Sequence, residues 1–124
     1  MSTRALIFGS LGQVGLALRE IAPATFDVVA HDLPETDICD EHAVAHALED
    51  VRPEVVLNCA AFTAVDDAEA HPAKAFSANG EAPGYIAREA ARRGIRLVHI
   101  STDYVFNGRG HAPYATTDDA APIN

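Results

Sequence analysis

Ala5-Leu6-Ile7-Phe8 runs straight into Gly9-Ser10-Leu11-Gly12-Gln13-Val14-Gly15 near the start of the chain. The four apolar residues read as a short buried strand, ended by Gly9. From Gln13 to Ile21, the residues Val14, Leu16, Ala17, Leu18 and Ile21 recur at helical spacing, and Pro23 closes the segment. The glycines thus form a G-x-x-G-x-x-G turn between a strand and a helix. Glycine permits a tight turn and lets a backbone come close to a pyrophosphate. The helix start adds free N–H groups and the positive end of its dipole. A lone glycine pattern is also explained by a plain turn, but the strand–turn–helix context is the one a dinucleotide site requires.

The same alternation continues along the chain. Phe26-Asp27-Val28-Val29-Ala30 reads as a second strand with His31-Asp32 at its carboxyl end. Thr36-Asp37-Ile38 leads to Asp40, an N-cap for a helix that Arg52-Pro53 stops near Val51. Val55-Val56-Leu57 is a third strand with Asn58-Cys59-Ala60-Ala61 at its tip. A long alanine-rich helical region follows, broken at His71-Pro72, with a kink or second start at Gly80 and Pro83. It ends at Arg92-Arg93-Gly94, before a fourth strand, Arg96-Leu97-Val98-His99-Ile100. Residues 101–124 read as a long loop. Strands alternating with helices indicate an α/β protein with a doubly wound, Rossmann-like parallel sheet, and right-handed crossovers give the expected strand order 3-2-1-4. A structureless end of this length is unusual in a complete domain, so the sheet is expected to be incomplete, with an unpaired edge and an exposed apolar face.

Composition excludes several function classes. The chain has 124 residues, 9 basic and 18 acidic, for a formal charge of -9. That charge argues against nucleic-acid binding and against an anionic membrane surface. No unbroken apolar run is long enough to span a membrane, and 24 of the hydrophobic residues are alanine. The N-terminus lacks the pattern of a signal peptide, so a cytoplasmic protein is expected. Cys39 and Cys59 have no metal-like spacing, and the six histidines form no ligand cluster, so no metal site is expected.

Three further positions bear on chemistry. Asp32 lies 17 residues past Gly15, at a strand tip, where a carboxylate accepts hydrogen bonds from an adenosine ribose. With no arginine following it, Asp32 disfavours a 2′-phosphate and leans the site toward NAD(H). The small residues after the third strand let a flat cofactor lie against the backbone, although a well-packed strand end reads the same way. Ser101-Thr102-Asp103-Tyr104 offers hydroxyls to a carbonyl or a sugar, or else is a hydroxyl-capped turn.

Together, FGSLGQVG (Phe8–Gly15), LNCAAFTAVDDAE (Leu57–Glu69), STDYVFNG (Ser101–Gly108) and PYATTDDAAPIN (Pro113–Asn124) resemble the extended short-chain dehydrogenase/reductases, and within them the dTDP-4-dehydrorhamnose reductases. The resemblance implies that Gly9, Gly12, Gln13, Val14 and Gly15 cradle the pyrophosphate of NADPH or NADH. It places Asp37 and Ile38 beside the adenine, with Ala60, Ala61 and Thr63 along the cofactor. Thr102 becomes the hydroxyl of a Thr/Tyr/Lys catalytic set, and Asp103 and Tyr104 touch the sugar. The implied reaction moves a hydride to C4 of dTDP-4-dehydro-L-rhamnose, and a homodimer is compatible with it. Asn107 and Thr116 depart from the residues frequent in that family. So does the absence of any Tyr-x-x-x-Lys, since Lys74 is the only lysine and precedes all three tyrosines. The resemblance puts that tyrosine just past Asn124. The expectation is therefore the N-terminal part of a nucleotide-sugar reductase. The alternatives are a non-catalytic dinucleotide-binding module or regulatory subunit, and a reductase or epimerase of another nucleotide sugar.

Overall fold

Thr3–Phe8 forms the central strand β1 in the computed structural model, which describes residues 1–124. Its last four residues are buried, as an apolar run covered on both faces requires. The chain continues through α1 (Gln13–Ile21), β2 (Phe26–His31), α2 (Glu41–Val51), β3 (Val55–Asn58), α3 (Val65–Ala70), α4 (Pro72–Phe76), a π-helical turn (Ser77–Glu81), α5 (Ala82–Arg92) and β4 (Arg96–His99). All strand pairs are parallel, and Phe8, His31, Asn58 and His99 stand in one row across the carboxyl edge.

The α/β class and the parallel sheet are as expected, but the strand order is corrected. It is β2-β1-β3-β4, not 3-2-1-4. In the expected order the third strand lies outside β2. Here β3 pairs with β1 on the side away from β2. The segment after β2 turns instead of extending, with Thr36 N–H donating to the Asp32 carbonyl and Asp40 N–H to that of Asp37. The β1–α1–β2 and β2–α2–β3 crossovers then run in opposite directions, which puts α1 and α2 on opposite faces. The reversal of direction beside β1 opens a crevice at its carboxyl end.

Leu6, Phe8 and Val56 pack with Val44, Ala47, Leu48 and Val51 of α2 and Ala82 and Ile86 of α5 in one core. Fully burying a side chain such as Leu6, Leu48 or Ile86 stabilises by about 1.5–3 kcal/mol. On the other face Ala5 and Ile7 are buried, while Val14, Leu16 and Ile21 of α1 stay exposed. Toward β4 it stays open, and Val98 and Ile100 are exposed. The expected caps are in place: Asp40 accepts from His42 N–H and Ala43 N–H, Arg52 ends α2 at φ 49°, and Gly94 ends α5 at φ 67°. Residues 101–124 are mostly irregular but not free of structure. Asp103–Val105 forms a 3-10 turn, Phe106 stacks on Tyr114 with centroids 4.2 Å apart, and Ala121 N–H donates to the Val105 carbonyl at 2.7 Å.

Glu89 of α5 is 4% exposed, and its carboxylate accepts from the guanidinium groups of Arg92 and Arg93. The hydrogen bond from Arg93 is the main cause that holds its pKa below the ordinary range, against the opposing effect of burial. A carboxylate with a depressed folded pKa contributes stability that is full above its unfolded value, about 4.3, and lost as pH falls through the folded value. Glu89→Gln is therefore expected to flatten the acid limb of a melting temperature against pH profile below about pH 5. A profile that still falls as steeply in the variant would assign the acid sensitivity to other carboxylates.

Candidate functional site

The crevice at the carboxyl end of β1 and β3 holds a cleft of about 440 Å³. Gly9 forms its floor at φ 74°, a backbone conformation that disfavours any side chain. A Cβ at Gly9 would also come within 2.6 Å of Ala60 Cα, so the glycine lets the turn touch the tip of β3. At Gly15 a Cβ would overlap the Gly9 carbonyl oxygen and come within 2.7 Å of Ser10 Cα. Gly15 is thus what lets α1 start directly against the turn. Gly12 has a different role, because a Cβ there meets only the Gly9 carbonyl oxygen, at 3.4 Å.

No side chain caps α1, and no acidic residue stands in its first turn. The N–H groups of Gln13, Val14 and Gly15 find no backbone or side-chain acceptor. Unpaired donors at a helix start whose cap lines a cleft suit an anion. The residues therefore fit a pyrophosphate on the geometry of this chain, with a floor that admits no Cβ and donors left open beside it.

Asp32 borders the same cleft. One carboxylate oxygen accepts Leu11 N–H at 2.8 Å and the other accepts Leu33 N–H at 2.8 Å. Each oxygen keeps a lone pair for a further donor, such as a ribose hydroxyl. Asp37 and Ile38 also line the cleft, and Asp37 accepts Cys39 N–H at 2.9 Å. No lysine or arginine lines it.

Across the cleft, Ala60 and Ala61 form the wall. Buried Asn58 fixes it from behind. Its Oδ1 accepts Ala60 N–H at 3.2 Å, and its Nδ2 donates to His99 Nδ1 at 3.1 Å, tying β3 to β4. Cys59 also lines the cleft, and burial pushes its thiol pKa up, which favours the protonated form.

None of Ser101–Tyr104 lines this cleft. Thr102 Oγ1 accepts Tyr104 N–H at 3.1 Å and donates toward Asp103 at 3.3 Å. This is the hydroxyl-capped turn weighed from sequence, with Thr102, Asp103 and Tyr104 all exposed.

The chain matches the family model described as the RmlD substrate binding domain over residues 3–124, nearly its whole length. It belongs to the RmlD substrate-binding-domain family. Among family relatives, it is 42% identical over 121 residues to the spore coat polysaccharide biosynthesis protein SpsK of Bacillus subtilis, covering 97% of this chain and 43% of SpsK. It is 43% identical over 119 residues to the dTDP-4-dehydrorhamnose reductase of Burkholderia thailandensis, covering 96% of this chain and 40% of that enzyme. The crystal structure of the Bacillus anthracis dTDP-4-dehydrorhamnose reductase in complex with NADP superposes at a TM-score of 0.96 with 34% identity. That superposition covers 100% of this chain and 44% of the other. The chain thus spans about two fifths of the length of the relatives it matches.

Within this family member, the cleft gathers Gly9, Gly12, Asp32, Asp37, Ile38, Ala60 and Ala61 of the expected cofactor residues. Gln13, Val14 and Gly15 at the helix start and the exposed Thr63 do not line it. Leu11, Leu33, Thr36 and Phe62 also line the cleft without having been singled out. Leu11 and Leu33 left a signal, since each is next to a residue already chosen. So did Phe62, which lies between Ala61 and Thr63; its bond to Asn79, 17 residues away, left none.

Proposed function

We propose that residues 1–124 are the NAD(P)-binding, Rossmann-like domain of a reductase acting in the cytoplasm on dTDP-4-dehydro-L-rhamnose, with NADPH or NADH as the hydride source. The reading rests above all on the glycine turn, which closes onto the tip of β3 and leaves the first N–H groups of α1 unpaired beside the cleft. The family membership and the NADP-bound Bacillus anthracis relative support it. A net charge of -9 supports a small-molecule partner over a nucleic acid.

The nicotinamide supplies a hydride when bound. Gly9, Gly12 and the α1 start, Gln13 to Gly15, hold the pyrophosphate. Asp32 accepts the adenosine ribose hydroxyls, while Asp37 and Ile38 flank the adenine. Ala60, Ala61 and Thr63 leave room for the cofactor to lie along β3. Thr102 offers its hydroxyl to the C4 carbonyl of the sugar, and Asp103 and Tyr104 contact sugar hydroxyls. That needs the exposed 101–105 turn to be approached by the substrate. Protonation of the new alkoxide falls to a Tyr/Lys pair that these 124 residues do not contain.

The test compares two proteins, the 124-residue segment and the chain as its native cell makes it. Both should bind NADH or NADPH in a fluorescence titration. Only a native chain whose reading frame continues into a Tyr-x-x-x-Lys should oxidise the cofactor with dTDP-4-dehydro-L-rhamnose. Turnover by the 124 residues alone would remove the Tyr/Lys pair from the mechanism. A native mass of 13.1 kDa together with cofactor binding and no turnover would replace the reductase by a dinucleotide-binding module.

A further inference from the structure

Asn79 is remote from the glycine turn in sequence, yet it reaches across to the cleft wall. Its Oδ1 accepts Phe62 N–H at 2.8 Å, and its Nδ2 donates to the Phe62 carbonyl at 2.9 Å. Only one orientation of the amide satisfies both bonds, since the flipped one sets donor against donor and acceptor against acceptor. The backbone of Ala61, Phe62 and Thr63 makes no backbone–backbone hydrogen bond, so Asn79 provides the two bonds that hold it. Ala61 and Phe62 line the cleft, and so does Ala78, the neighbour of Asn79.

The local sequence explains how Asn79 comes to be there. It lies in the π-helical turn Ser77–Glu81 between α4 and α5, where Ala82 N–H donates to the Ser77 carbonyl, five residues back. In a regular helix the residue four after Asn79 would donate to its carbonyl, but that residue is Pro83, which has no N–H. The ladder opens at this point, and such turns often occur at functional sites. A polar side chain at the opening is the one that clamps the loop.

We propose that Asn79 is a positioning residue for the cofactor: through both backbone groups of Phe62 it holds Ala61–Phe62 as the fixed wall of the dinucleotide cleft. The proposal rests on the dinucleotide reading of that cleft. Without the clamp the wall must be ordered at the moment of binding, and that cost appears in affinity.

The experiment uses the chain as its native cell makes it and compares wild type with Asn79→Ala and Asn79→Asp. NADH affinity is read by fluorescence titration, melting by calorimetry without cofactor, and KM for NADH and kcat by steady-state assay. Asn79→Ala should raise the NADH Kd and KM together by about tenfold, with kcat and the cofactor-free melting temperature nearly unchanged. Asn79→Asp keeps an acceptor for Phe62 N–H but turns a second oxygen toward the Phe62 carbonyl, so it should bind NADH no better than Asn79→Ala. If Asn79→Ala fails to fold, the same comparison for Asn79→Asp decides. Wild-type affinity in the folded variants overturns the proposal and leaves the cofactor reading standing. A lowered melting temperature with unchanged Kd makes Asn79 a staple of the fold and also overturns it. A wild-type chain that binds neither NADH nor NADPH removes both readings at once.

Discussion

Gly15→Ala is expected to abolish measurable NADH binding and to lower folding stability by about 3 kcal/mol, the upper part of the range for forcing atoms into a packed site. The added Cβ would overlap the Gly9 carbonyl oxygen and crowd Ser10 Cα, both backbone atoms that no rotamer change can move aside. Relief requires α1 to shift away from β1, which displaces the unpaired N–H groups of Gln13, Val14 and Gly15. Two other glycines calibrate the result. Gly12→Ala meets only one atom, at 3.4 Å, so it should fold almost normally while placing a methyl at the cleft where the pyrophosphate must approach. Gly84 in α5 has nothing within 4 Å of a would-be Cβ, so Gly84→Ala should stabilise by up to about 1 kcal/mol and leave binding alone. Denaturant unfolding and cofactor titration on the three variants separate these outcomes. Equal losses of binding in all three would mean that helix composition, not close backbone approach, sets the effect.

That spread shows which parts of the molecule local sequence can specify. The strand–turn–helix at the start was legible because its signals are adjacent: an apolar run, glycines, then helical spacing. The α2 cap at Asp40 and the stop at Arg52-Pro53 were legible for the same reason. Strand order was not. Nothing in Val55-Val56-Leu57 says on which side of β1 it pairs, and the outcome turns on the segment after β2, where Asp32 and Asp37 bond neighbouring backbone amides and bend the chain. The alanine-rich region showed its break at His71-Pro72 and its disturbance near Gly80 and Pro83. It did not show that the disturbance is a π turn aimed at Phe62. Contacts such as Asn79 to Phe62 or Asn58 to His99 join residues 17 and 41 apart, and no local pattern encodes them. Thr102 illustrates the opposite limit. Its sequence fits both a substrate hydroxyl and a turn cap, and the geometry of this chain displays the cap.

Asp32 carries the second large effect. A carboxylate and a 2′-phosphate charge about 5 Å apart repel by about 3 kcal/mol at an effective dielectric constant of about 20, and somewhat less in salt. No lysine or arginine lines the cleft to offset this. Wild type should therefore favour NADH over NADPH. Asp32→Ala should shift the ratio of the two affinities toward NADPH by about 30-fold, the equivalent of about 2 kcal/mol after screening. Two contributions act in the same direction. The negative charge is removed, and Leu11 N–H and Leu33 N–H, both now bonded to the carboxylate, become free donors for a phosphate. NADH affinity itself should fall, because the ribose loses its acceptor and the turn loses two tethers. Asp32→Asn separates the contributions: it removes the charge but keeps one acceptor oxygen, so it should give a smaller shift with a better-held turn. Parallel titrations with NADH and NADPH at two salt concentrations read the ratio and its electrostatic share. An unchanged ratio in Asp32→Ala would mean that the 2′ position lies away from this carboxylate.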